Sequence, residues 1–195
     1  LWTVWPASAQ NTVTFEQTVS DLRSERADVR LAAARALKGS PYPEAAVRLA
    51  GAVTDAVDAV QLEAIGAVLN IYLAEKVVPT RRVGLIVEVR NRVAAEAAFA
   101  AGPAIVEPRP VPPEVLTALR TALQDEHPQV ALEATYAFGI LGAEVSGAQR
   151  GALLAASASE LAGRIGSPRQ DLRLGAVRVI DRLFAVRPGD ARVPE

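Results

Sequence analysis

The sequence has no cysteine, no methionine, a single histidine, and aromatic residues at only 5 %. Without cysteine there can be no disulfide framework and no thiolate metal site. With one histidine, only a carboxylate-rich metal site stays chemically open, and no carboxylate cluster of that kind shows. No apolar run reaches the roughly 18 residues that a membrane-spanning helix needs. Neither sign of charge dominates. The 21 Lys and Arg face 22 Asp and Glu, so nothing pulls the chain generally toward nucleic acid or an anionic membrane. Lysine occurs only at Lys38 and Lys76, and the preference for arginine reads as codon bias. Also missing are a Gly-x-Ser-x-Gly elbow, a phosphate-cradling glycine loop and a His-Glu-x-x-His pair. These absences predict a non-enzyme that needs no cofactor and no metal.

Half of the residues are hydrophobic, and Ala, Val and Leu dominate them. Small side chains let helices approach closely, which favours packed helices over a β-sandwich. One skeleton then recurs: an apolar anchor, Leu two residues later, Ala two after that, and an apolar residue four further on. It reads Val29, Leu31, Ala33, Leu37; Val60, Leu62, Ala64, Val68; Val130, Leu132, Ala134, Phe138; and Leu172, Leu174, Ala176, Ile180. A second regularity accompanies it. Leu22, Val53, Leu123 and Ile165 each close a first helix, and each lies seven residues before an anchor. A fixed helix-turn-helix offset over four copies is the signature of a stacked repeat.

Along the chain, residues 1–9 resemble the end of a secretory leader, with Ala7, Ser8 and Ala9 as a small-x-small cleavage site and Gln10 opening the mature chain. The start at Leu1 suggests a lost N-terminus. An exported protein, periplasmic or extracellular and bacterial, is therefore expected, with a cytoplasmic location as the alternative. The repeat domain spans 14–186, with units near 14–39, 43–76, 113–142 and 150–186. Gly39 is placed to cap the helix that starts at Val29. Pro43-Glu44 and Pro113-Glu114 are helix-start signals, because Pro lacks a donor the first turn cannot use and Glu favours the positive end of the dipole. Residues 80–101 are either a degenerate unit, with Ile86 seven before Val93, or an inserted helix. Residues 102–112 form a Pro/Gly-rich loop. Residues 187–195 are a turn and a truncated end. The last helix is apolar enough to want a neighbour, so the natural chain is expected to continue.

Two clusters are candidate partner-binding residues. Glu63, Glu96 and Glu133 share one repeat position and would form an acidic row, unless they pair with arginines of a neighbouring unit. Arg81, Arg82, Arg90 and Arg92 form a basic patch where the sequence departs most from the repeat, unless they pair locally with Glu88 and Glu96. His127 is either a general base or a solvated turn residue.

The run Asp28-Val29-Arg30-Leu31-Ala32-Ala33-Ala34-Arg35-Ala36-Leu37, and the similar Asp171-Leu172-Arg173-Leu174-Gly175-Ala176-Val177, resemble HEAT repeats, including the HEAT-like repeats of the phycobilisome-lyase type. That resemblance implies an all-α fold: an α-solenoid, a right-handed superhelix of stacked antiparallel helix pairs of the armadillo/HEAT kind, with the second helices lining its concave side. It also implies Asp/Arg pairs between neighbouring units, at Asp28/Arg30 and Asp171/Arg173. Ala59/Gln61 and Gln129/Ala131 interrupt that ladder. The function implied is a non-catalytic scaffold presenting a concave surface to a protein partner. The alternatives are a nucleic-acid-binding or DNA-repair protein of the same repeat type and a lyase-like pigment chaperone. The first would want a basic, aromatic-lined groove, and the second has no supporting residue. No nucleic-acid partner is expected.

Overall fold

The structure is a computed structural model, and it describes residues 14–73, Ala95 and 110–185. The leader-like residues 1–9, the C-terminal 187–195, nearly all of 80–101 and residues 102–109 of the loop lie outside the described residues.

Nine α-helices are present among the described residues: α1 Phe15–Asp21, α2 Ala27–Gly39, α3 Ala46–Val53, α4 Asp58–Tyr72, α5 Pro113–Ala122, α6 Pro128–Gly142, α7 Gly147–Ala156, α8 Ala158–Ile165 and α9 Gln170–Phe184. A 3-10 turn, Pro43–Ala45, leads into α3. Helices α1/α2, α3/α4, α5/α6 and α8/α9 form antiparallel hairpins, the α-solenoid that the recurring skeleton predicts. The second helices α2, α4, α6 and α9 pack side by side in one layer, and α3 packs on α5 in the other. Neighbours therefore share one continuous interior. The recurring alanines Ala33, Ala64, Ala134 and Ala176 all lie in it, as do Leu37, Val68 and Phe138. Ile180 is half-buried against it.

The turns are as regular as the helices. Five residues before each anchor stands Ser24, Asp55, Asp125 or Ser167, and its side-chain oxygen accepts the N–H two residues on: Arg26 at 3.3 Å, Val57 at 2.9 Å, His127 at 2.8 Å and Arg169 at 3.2 Å. Short oxygen-bearing side chains close such turns because they reach their own backbone. The same contact sets the angle at which every second helix departs.

Several details depart from the sequence reading. Gly39 is not a cap: α2 runs through it and Ser40 ends the helix. The helix from Asp58 stops at Tyr72, four residues short of Lys76. The last unit begins at Gly147, where Ser146 and Gln149 form a capping box. Its first helix is broken in two at Ser157, whose buried hydroxyl donates to the Leu153 carbonyl at 2.8 Å. Leu161 takes the buried role in that helix, and Ile165, though it closes the helix, is exposed.

Of the expected unit at 80–101, only Ala95 is described, helical and buried. The units on either side of it touch directly, α3 against α5 and α4 against α6. Gln61 Nε2 donates to Asp125 Oδ2 at 2.8 Å across that seam.

Candidate interaction surface

Of the positions expected to link neighbouring units, Arg30 does so, and Asp28 and Asp171 do not among the described residues. Asp28 and Asp171 instead pair inside their own turns, with Arg26 at 2.6 Å and Arg169 at 2.5 Å. Each accepts a two-pronged guanidinium that holds its carboxyl below the ordinary value. The link between units is made by Arg30 to Asp55. Arg30 Nε and Nη2 donate to the two Asp55 oxygens at 2.6 and 2.9 Å, while Nη1 donates to the Ser24 and Glu25 carbonyls at 2.8 and 3.0 Å. Burial pushes the Asp55 carboxyl up. The Arg30 hydrogen bonds and charge, with the Val57 N–H, outweigh that and hold it below its ordinary value.

At the next seam Gln61 takes the place of Arg30 and Asp125 that of Asp55, so the ladder continues with a neutral donor. At the third seam Ala131 has nothing to donate. Arg164 crosses it from the other side, donating to the carbonyls of Leu123 and Asp125. Burial lowers the Arg164 pKa, opposed by the charge of Asp125.

The acidic row resolves into two structural roles. Glu63 sits on α4 and faces α2, where Lys38 Nζ lies 2.9 Å and Arg35 Nε 3.2 Å from its oxygens. Burial raises its carboxyl, and those two cations more than reverse the effect. Among the described residues its partners are the cations of the preceding unit. Glu133 on α6 is buried, and accepts from Gln129 Nε2 at 3.0 Å and from the Ala95 N–H at 2.7 Å. Glu96, Arg81, Arg82, Arg90 and Arg92 lie outside the described residues.

His127 is a partly exposed residue of the inter-helix turn with two structural contacts. Its Nδ1 accepts from the Val130 N–H at 3.4 Å as the N-cap of α6, and its Nε2 lies 3.8 Å from Asp58 Oδ2. Nδ1 accepts that bond in the neutral tautomer that carries its proton on Nε2.

One open groove of about 590 Å³ lies between α6 and α9, lined by Tyr136, Arg169, Gln170, Asp171, Leu174 and Arg178. It offers an exposed leucine, an amide and a guanidinium to solvent. Arg178 makes no hydrogen bond or ion pair with the described residues. The sequence reading passed over it because Arg178 falls in a regular helix and the groove exists only between two helices. The described residues contain no group of three or more His, Asp or Glu that could hold a metal. None of their helices is long and apolar enough to cross a membrane.

No family model matches this sequence, and no curated protein matches it either. Solved structures do match. A designed armadillo repeat protein superimposes with a TM-score of 0.53 at 19% identity, over 87% of this chain and 64% of its own. Two engineered proteins give 0.52 at 18% identity and 0.53 at 16%, each over 86% of this chain. The chain spans about three fifths of the length of these neighbours, 61% and 62% of the two engineered proteins. At such low identity the likeness establishes the fold, a solenoid of stacked helical hairpins like that of armadillo repeats.

Proposed function

We propose that the protein is a non-catalytic interaction scaffold of HEAT-like type, holding a rigid layer of second helices against a protein partner. The groove between α6 and α9 carries this reading. Its walls are helices locked to their neighbours by a continuous apolar interior, so its shape is set before any partner arrives, and preorganisation lowers the entropic cost of binding. Leu174 supplies apolar area, and Gln170 and Arg178 supply donors. A polypeptide segment with an apolar side chain flanked by acceptors fits that set. The polar side chains that would draw attention as catalytic candidates, Glu63, Glu133 and His127, all have structural partners.

The test is crosslinking-assisted capture from the source cells with the full chain and with Leu174→Glu and Gln170→Arg variants. Both positions are exposed, so the variants should keep the wild-type melting curve. The expected result is one recurring protein that both substitutions remove. Equal recovery with the variants would move the site away from this groove.

A further inference from the structure

The fourth unit ends in a face that the other units bury. Two contacts show which face this is. A Cβ built on Gly175 would lie 3.5 Å from Thr135 Cγ2, and one on Gly142 would lie 2.7 Å from Leu153 Cδ2. Thr135 and Gly142 of the third unit therefore point forward, onto the fourth. Counting from the anchors, the same two positions in the fourth unit are Val177 and Phe184. At the first position Ala34, Ile65 and Thr135 are wholly buried, and Val177 is 52% exposed. At the second, Tyr72 is buried and Phe184 is 68% exposed. Ile165, at the position of the buried Val53 and Leu123, is 42% exposed. Three large apolar side chains thus lie open at positions that are interior elsewhere in the same solenoid.

Polar groups on this face match the established seam as well. Arg173 stands where Arg30 stands. Its Nη1 donates to the Ser167 and Pro168 carbonyls, both at 2.8 Å, as the Nη1 of Arg30 does to Ser24 and Glu25. In Arg30 the remaining fork grips Asp55 of the next unit. In Arg173 that fork makes no bond with the described residues. Arg178 stands where Arg35 stands, and Arg35 pairs with Glu63 of the next unit.

We infer that the α8/α9 face is a stacking site for a further helical hairpin of the same repeat phase, one with two acids. The first acid lies in its inter-helix turn, where Asp55 lies in the second unit, and meets Arg173. The second lies eight residues later on its second helix, where Glu63 lies, and meets Arg178. The apolar residues of that hairpin cover Ile165, Val177 and Phe184. A bidentate carboxylate on a held guanidinium fixes the register, and the apolar contact supplies the affinity. A second copy of this chain stacked head to tail does not fit. At those two positions its first unit would present Ser24 and Ala32, which offer no charge to either arginine.

The experiment appends a copy of residues 40–73, which carries both acids, after Glu195 of the full chain. The expected result is a gain in helical circular dichroism matching the added helices and a melting temperature several degrees higher. Asp55→Asn in the appended copy should remove part of that gain when Arg173 is present, and none of it in an Arg173→Gln background. Val177→Glu, at a position 52% exposed in the parent chain, should leave the parent's melting curve unchanged and abolish the gain. An appended unit that adds no helix, or an Asp55→Asn effect that is the same in both backgrounds, would overturn the inference. So would concentration-dependent self-association of the unextended chain in sedimentation, dissolved by Val177→Glu, since that would make a second copy the occupant. The outcomes are read at Arg173 and Val177, neither of which lines the α6/α9 groove, so they are separable from binding there.

Discussion

Removing the Asp55 carboxylate tests how the first unit is held to the second. In Asp55→Ala three hydrogen bonds vanish together: the two from Arg30, at 2.6 and 2.9 Å, and the one from the Val57 N–H at 2.9 Å. A hydrogen bond to a charged group in a shielded site is worth about 1.5–3 kcal/mol. The full sum is not lost, because the Asp55 and Arg30 side chains keep 9% and 15% of their exposure and water can reach the stranded fork. The expected cost is about 2–3 kcal/mol at pH 7. Urea melts followed by circular dichroism measure it. Hydrogen exchange should show α1 and α2 losing protection before α6, since stability in a repeat array is local.

The pH dependence supplies a sign. The folded Asp55 carboxyl sits below its ordinary value, so its contribution is complete above the unfolded pKa of about 3.9 and is lost as pH falls through the depressed folded value. The gap between wild type and variant should be flat from pH 7 to 5 and should close on further acidification. A gap under about 0.5 kcal/mol at pH 7, within the range of exposed ion pairs, would refute the claim that this bridge ties the units. A gap that widened below pH 4 would refute the assigned direction.

Leu132 is buried on α6, and Leu132→Ala should cost about 2–5 kcal/mol in a chemical melt, depending on how far the site collapses. Ala64 lies fully buried in the α4 hairpin, and Ala64→Leu should lower stability by about 1–3 kcal/mol through overpacking, seen as a lower melting temperature. Glu63 is part-exposed beside Lys38 and Arg35, so Glu63→Gln should cost under about 1 kcal/mol, and the loss should shrink in high salt. His127→Ala should weaken the start of α6 by about 1 kcal/mol through the lost N-cap, with no accompanying change in any binding signal.

Hairpins, their phase and the identity of the interior residues followed from local pattern. An apolar residue in helical period has one way to be buried, so Val60, Ala64 and Val68, or Val130, Ala134 and Phe138, announce their side of the helix without reference to anything distant. The turn chemistry was equally local, although Ser24, Asp55, Asp125 and Ser167 were not read as a series. Four residues of two kinds, sharing one contact to the backbone two residues on, show as a repeat only once the contact is seen.

Partner choice was a different matter. Whether Arg30 meets Asp28 two residues away or Asp55 twenty-five away depends on which carboxylate the stacking of units brings to the guanidinium. That α3 meets α5 and α4 meets α6 depends on distances that sequence spacing does not encode. The groove between α6 and α9 and the open face of α9 likewise exist only as relations between helices. Local periodicity determined which residues turn inward, because burial of a side chain is decided one helix at a time. Tertiary structure decided which charges meet and which faces stay uncovered, because those outcomes belong to the packing of one unit on the next.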